Sequence, residues 1–256
     1  VLTLGWCGEE GLVPLDSELF ISATKAQALP QPFRDGRSVV AKRYRVARDQ
    51  TKPEMAKAMI RRALRAGIKA DYLLADAWFG TKPMIRTAED ALLTPILRMK
   101  KNTMKYRWTT FCQGQNHHRE IDLKCLYQAC IRGQWDTIPG QPYQAKACDV
   151  ALNLADSSKE PERWITVRLL FVRGTVTGEK AQPGKHDWAV FLTTDTHLEP
   201  QRILELYALR WAIEVYFKEA KQHLGFLKEQ SNHYCARQSL EEEEESPSDV
   251  SHRKPL

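Results

Sequence analysis

The sequence lacks any long apolar run. Stretches such as Tyr72-Leu73-Leu74-Ala75 and Leu169-Leu170-Phe171-Val172 are far too short to cross a bilayer. No basic-then-apolar leader opens the chain, which argues against a secreted protein. Cysteine is sparse: six residues, at 7, 112, 125, 130, 148 and 235, with no CxxC pair. Cys125 and Cys130 lie near His117 and His118, but no second close pair completes a zinc set. Scattered cysteines fit a reducing cytoplasm. Acidic residues are the minority charge, 32 against 38 basic, for a net +6. What is present is a hydrophobic fraction of 43%, too high for a chain disordered throughout. A length of 256 residues allows one large domain or two small ones, with a core that needs no disulfide scaffold.

The charge is unevenly spread. From Cys235 to Leu256 three basic residues face six acidic ones, including the run Glu241 to Glu245. That tail therefore carries −3 and the preceding residues +9. A body this basic suggests an anionic partner, most simply a nucleic acid. The plainer alternative is a protein that is merely basic. The tail has no apolar period and reads as disordered.

Along the chain, the apolar opening Val1-Leu2-Thr3-Leu4 reads as a strand, with a second near Leu12 to Ile21. Beginning inside a strand suggests missing upstream sequence. The stretch Val39 to Arg48 is basic. Thr51 and Glu54 form a capping-box pattern with Pro53 in the first turn, so a helix is expected to about Ala66, stopping at Gly67. The run Tyr72 to Asp76 reads as a buried strand. A short helix near Pro83 to Asp90 and a strand over Leu93 to Met99 follow, then the basic residues Lys100, Lys101, Lys105 and Arg107. This order is an α/β pattern. Residues 103–198 read as β-rich, without a helix of clear period. There Ile165, Val167, Leu169 and Phe171 show strand alternation. Gly174, Gly178, Pro183 and Gly184 mark a turn-rich connection, and a further strand is expected at Trp188 to Thr193. This block reads as an insertion into the α/β domain. From Pro200 to about Leu224 the pattern is helical.

At 100° per residue along that last helix, Tyr207, Arg210, Glu214 and Lys221 share a strip about 60° wide. The strip borders the apolar face made by Leu206, Leu209, Ile213, Tyr216, Phe217 and Leu224. A carboxylate at such a border is held rigidly and partly desolvated, which suits a metal ligand or a catalytic group. The plain alternative is a surface helix laced with charge pairs. Asp76 ends an apolar strand, where open α/β sheets place their ligand sites. Thr81 lies closer to the next helix, so Asp76 is not needed as its cap. Two acids so placed suit a divalent ion such as Mg²⁺.

The set Tyr207-x2-Arg210-x3-Glu214-x6-Lys221 resembles the YREK signature of DDE transposases in the IS-four group of insertion sequences. Leu73-Leu74-Ala75-Asp76-Ala77-Trp78-Phe79 resembles the segment bearing that group's second catalytic aspartate. The resemblance spans roughly residues 1 to 234. It implies a ribonuclease-H-like mixed sheet with helices, interrupted by a β-rich insertion domain. Residues 1–102 would be the first part of the catalytic domain, 103–198 the insertion, 199–234 the signature helix and 235–256 the acidic tail. It implies two Mg²⁺ ions, with Mn²⁺ able to substitute, held by three carboxylates for in-line cleavage and strand transfer of DNA. Asp76 and Glu214 would be the second and third carboxylates. Tyr207, Arg210 and Lys221 would bind phosphates of double-stranded DNA at the transposon ends. Trp188 would stack on a flipped base, the alternative being an ordinary core aromatic. A homodimer in the DNA complex, in a nucleoid-associated cytoplasmic setting with no membrane, is also implied.

The first catalytic aspartate of that family is not visible. Asp16, Asp35 and Asp49 sit in later segments. The expectation is a fragment, truncated at both ends, that is inactive as written. The competing expectation is a non-catalytic DNA-binding remnant that occupies transposon ends or pairs with intact transposase. A basic domain unrelated to DNA is the third.

Overall fold

The computed structural model describes residues 1–8, 10–22, 24, 35–112, 114–155, 157, 159–174 and 188–225. The expected acidic tail, and Gly178, Pro183 and Gly184 of the expected turn-rich connection, lie outside the described residues. The chain divides into two compact units, Val1–Ile213 and Glu214–Leu256.

The first unit opens with an antiparallel hairpin of β1 (Leu2–Gly8) and β2 (Gly11–Glu18). It forms its own two-stranded sheet. Asp16 lies within β2, and Arg62 binds it and Glu18 at 2.7 Å each. The Trp6 indole N–H donates to the Lys69 carbonyl at 3.0 Å. The basic stretch after Ser38 is a helix, α1 (Val39–Asp49), capped by the Ser38 hydroxyl. Its basic side chains point outward while Ala41 and Ala47 are buried. Next, α2 (Lys52–Arg65) begins with the expected reciprocal Thr51–Glu54 capping box. It ends before Gly67, whose φ of +83° suits glycine.

A βαβ unit follows: β3 (Tyr72–Ala75), α3 (Lys82–Asp90) and β4 (Thr94–Arg98), with the two strands parallel. Thr81 holds the N-cap position of α3, so Asp76 is not its cap.

The β-rich block comprises β5 (Tyr106–Cys112), β6 (Gln115–Ile121), β7 (Asp136–Thr137), β8 (Tyr143–Asn153), β9 (Trp164–Gly174) and β10 (Trp188–Thr193). It does not form a sheet of its own among the described residues. Because β10 pairs antiparallel with β4, one sheet runs β3-β4-β10-β9-β8-β5-β6, with β7 on β8. The block also holds a helix that its sequence did not announce, α4 (Leu123–Ile131). Asp122 caps it, accepting from the Lys124 and Cys125 N–H groups at 3.1 and 3.0 Å. Nine residues span only two and a half turns, too few for a clear period.

Alternation along β9 sorts the core onto two faces. Val167, Leu169 and Phe171 join one cluster with Leu126 and Tyr127 of α4 and Ile85 of α3. Leu170 and Val172 join Ile203 and Leu206 in another. These last two residues come from α5 (Pro200–Ala208).

The expected single helix from Pro200 to Leu224 is in fact two. After α5 comes a turn at Leu209 and Arg210, then α6 (Trp211–His223). At the turn the N–H groups of Leu209, Arg210, Ala212 and Ile213 bond to carbonyls three residues back. Bonds of that spacing wind the chain more tightly than an α-helix. The 60° strip assumed one uninterrupted winding. Of the second unit, residues 214–225 are described, mostly as the body of α6.

Within the first unit, a cavity of about 410 Å³ separates the hairpin from β3. Gly5, Leu12, Ile60, Leu73, Leu206 and Leu209 help line it. Among the described residues, strand β1 pairs only with β2, and β3 only with β4.

Candidate functional site

Parallel β3 and β4 bring their carboxyl ends to one edge of the sheet. Ala75 pairs with Leu97, so the next residues, Asp76 and Arg98, stand side by side where the strands stop. Arg98 is exposed and Asp76 half-buried. The Asp76 carboxylate accepts the Trp78 N–H at 2.8 Å, and its carbonyl accepts the Phe79 N–H at 3.0 Å. These bonds fold the loop back over the strand end.

Gly80 completes that loop against β4. A Cβ built there would lie 2.5 Å from the Arg98 carbonyl and about 3 Å from Met99. Only a residue without a side chain permits this approach.

Tyr207, near the end of α5, packs its ring edge-on against Phe191, with centroids 4.6 Å apart. Phe191 in turn is the antiparallel partner of Arg98. Burial raises the Tyr207 pKa; Arg210 and Arg98 oppose the rise, and Asp76 adds to it. The phenol therefore remains a neutral donor near neutral pH. The Arg210 guanidinium carbon is 5.6 Å from the Tyr207 ring centroid. Asp76, distant in sequence from Tyr207, is thus brought near it in the first unit.

Sequence reasoning missed Arg98. The available signal was a basic residue ending a strand that follows the Asp76 strand through one helix. It had meaning only once parallel pairing and register were known.

Glu214 and Lys221 lie beyond the boundary between the units. Glu214 is in the first turn of α6 and half-buried, and Lys221 is in its last turn and exposed. Trp188 is 6% exposed. Its indole stacks on Tyr127 at 4.3 Å and 9°, and the Lys101 ammonium lies 4.0 Å from the ring centroid. In this structure the ring packs within the core cluster.

A second basic group surrounds the Asp76 loop. Trp78 is 59% exposed. The Lys100 and Lys52 ammonium groups lie 3.8 and 4.6 Å from its ring centroid.

Among the described residues, no three His, Cys, Asp or Glu side chains gather so as to hold a metal ion. The described donors therefore do not fit a complete metal site. Also among the described residues, no helix is long and apolar enough to cross a membrane. The donor groups at the sheet end can still bind and orient a phosphodiester, with Arg210 and Arg98 as forked donors and Tyr207 as a neutral one.

Comparison with curated proteins gave no match. A family model described as a transposase DDE domain matches residues 34–238.

Proposed function

The chain belongs to the transposase DDE-domain family, and on that premise we propose that it is a fragment of an insertion-sequence transposase of the IS-four group. A transposase domain acts on DNA, and this family normally uses divalent metal ions. The proposed fold is ribonuclease-H-like, with the β-rich block as its insertion and Tyr207, Arg210, Glu214 and Lys221 as the YREK set. The reaction of the intact parent would be cleavage and strand transfer at transposon ends. Divalent ions, Mg²⁺ or Mn²⁺, would supply Lewis-acid charge beside the scissile phosphate.

One observation carries the reading. Asp76 and Arg98 end adjacent parallel strands, and Tyr207 and Arg210 from α5 and the following turn reach the same place. The residues of this chain then take separate parts. Arg210 and Arg98 hold phosphate oxygens, and Tyr207 donates its hydroxyl proton to one of them without losing it. Lys221 adds a point charge along the DNA. Asp76 and Glu214 are each proposed as a metal-ligating carboxylate. We propose that the chain binds DNA without cutting it, in a homodimeric complex of nucleoid-associated setting.

The second reading is a non-catalytic remnant that occupies transposon ends or pairs with intact transposase. One experiment addresses both. Labelled duplex oligonucleotides are incubated with the chain in Mg²⁺ or Mn²⁺ and assayed for binding and strand breaks. We expect binding that weakens steeply with salt and no breaks. Robust metal-dependent cleavage would replace the remnant with an active enzyme. Arg210→Ala should reduce affinity and flatten the salt dependence by about one counterion. Salt dependence unchanged by Arg210→Ala and Lys221→Ala would reject the assigned phosphate contacts.

A further inference from the structure

Two thiols without a part in the proposed function meet beneath α4. Cys130 lies in the last turn of that helix and is 7% exposed, and Cys148 lies on β8 and is half-buried. Both are free cysteines. Register and helical spacing account for their meeting. Cys148 and Lys146 pair with Leu169 and Phe171 of β9, so all four point to the face of the sheet that α4 covers. Tyr127 of α4 sits over Phe171, with ring centroids 6.0 Å apart. Cys130 follows Tyr127 by three residues, so it lies on the same side of the helix and faces the same part of the sheet. Just beyond the helix, the Gly133 N–H donates to the Cys130 carbonyl at 3.1 Å. A Cβ built on Gly133 would collide with the Lys146 Nζ. The end of α4 therefore rests on the stretch of β8 that carries Lys146 and Cys148. Cys130 belongs to the larger apolar cluster and Cys148 packs against it.

The two sulfurs are not equivalent. The Cys148 thiol, opposed by burial and aided by the Lys146 ammonium, lowers the pKa of Cys130. Cys130 and burial raise the pKa of Cys148. One sulfur is thus disposed to be a thiolate, and the other stays protonated beside it. In that arrangement a sulfenic acid formed on the first is captured by the second before it oxidises further. Burial restricts the oxidant to a small one, and a peroxide is small enough.

We propose that Cys130 and Cys148 form a peroxide-sensitive dithiol that closes to a disulfide, tying the end of α4 to β8. The Cys130 thiolate attacks one peroxide oxygen and the O–O bond breaks. Hydroxide leaves and takes up the proton that Cys130 had released, giving water, and Cys130 becomes a sulfenic acid. The Cys148 sulfur then attacks the Cys130 sulfur. The S–S bond forms, the S–O bond breaks, and the hydroxyl departs with the Cys148 proton as a second water. The peroxide is reduced and the thiols are oxidised. The proposal goes beyond the DNA-binding reading and does not depend on it.

The test uses the full chain, reduced, freed of reductant and treated with hydrogen peroxide. The protein is then unfolded in denaturant, its remaining thiols are alkylated, and it is digested without reduction. Chymotrypsin cuts after Tyr127 and so parts Cys125 from Cys130. Mass spectrometry should find the peptide of Cys130 joined to that of Cys148, and a thiol reductant should separate them. Cys148→Ser should lose the bridge and leave Cys130 carrying added oxygen. The bridged chain should melt about 5 °C above the reduced one. Alkylation of both Cys130 and Cys148 after peroxide, whatever the state of the exposed Cys112 and Cys125, would overturn the proposal. So would a bridge from Cys130 to another cysteine, or one that only joins two chains on non-reducing electrophoresis. A bridged chain that melts below the reduced one would show a bond forced on the fold, and the proposal would fall.

Discussion

Tyr106 is fully buried, and desolvation pushes its phenol well above the ordinary tyrosine range. Tyr207 moves the same way, though Arg210 and Arg98 restrain it. In the unfolded chain both would release their protons near pH 10.0. The folded chain keeps them longer, so it binds more protons above that point. Their contribution to stability is thus complete below pH 10.0 and is lost as pH rises towards the folded values. Urea midpoints should be flat to about pH 9 and fall above it. Tyr106→Phe should flatten part of that fall, and an identical fall in the variant would refute the assignment. At this scale the site was partly legible. Asp76, Tyr207 and Arg210 showed themselves by residue type and spacing. Arg98 did not, because its nearness to Asp76 comes from strand register, which no local pattern displays.

Among the elements, the loop between β3 and α3 depends most sharply on one residue. A methyl at Gly80 would collide with backbone, the Arg98 carbonyl at 2.5 Å, and not with the yielding tip of a side chain. Gly80→Ala should destabilise the chain by about 1–3 kcal/mol in urea titrations. Gly36→Ala, where nothing lies within 4 Å, should change stability by less than about 0.5 kcal/mol. Equal midpoints for the two variants would dismiss the close approach. The same scale shows what sequence can announce. The start of α2 was legible because Thr51 and Glu54 carry their own capping chemistry. The break between α5 and α6 was not, since Leu209 and Arg210 are good helix formers with no Gly or Pro between them. The helix α4 was hidden by its brevity and by the strands around it.

Across the whole molecule, the α/β order of the first part and the strand richness of the middle were both readable from periodicity. That the two share one sheet was not, because it rests on pairing between β4 and β10, some ninety positions apart. Local sequence cannot encode so distant a partnership. The burial of Trp188 follows from the same long-range assembly, through its stack on Tyr127 of α4. The hairpin has the opposite standing. Two strands alone are marginal in water, and among the described residues these two form a sheet separate from the large one. They are held by Arg62, by the Trp6 bond to Lys69 and by the partial packing around the cavity. The molecule therefore has an order of opening. Amides of Leu2–Gly8 and Gly11–Glu18 should exchange with deuterium well before those of Trp164–Gly174, read peptide by peptide by mass spectrometry. Equal protection of the two would mean that hairpin and sheet open together. If the hairpin does open first, the cavity wall becomes a door, and the edge of β3 that no described strand covers meets solvent through it.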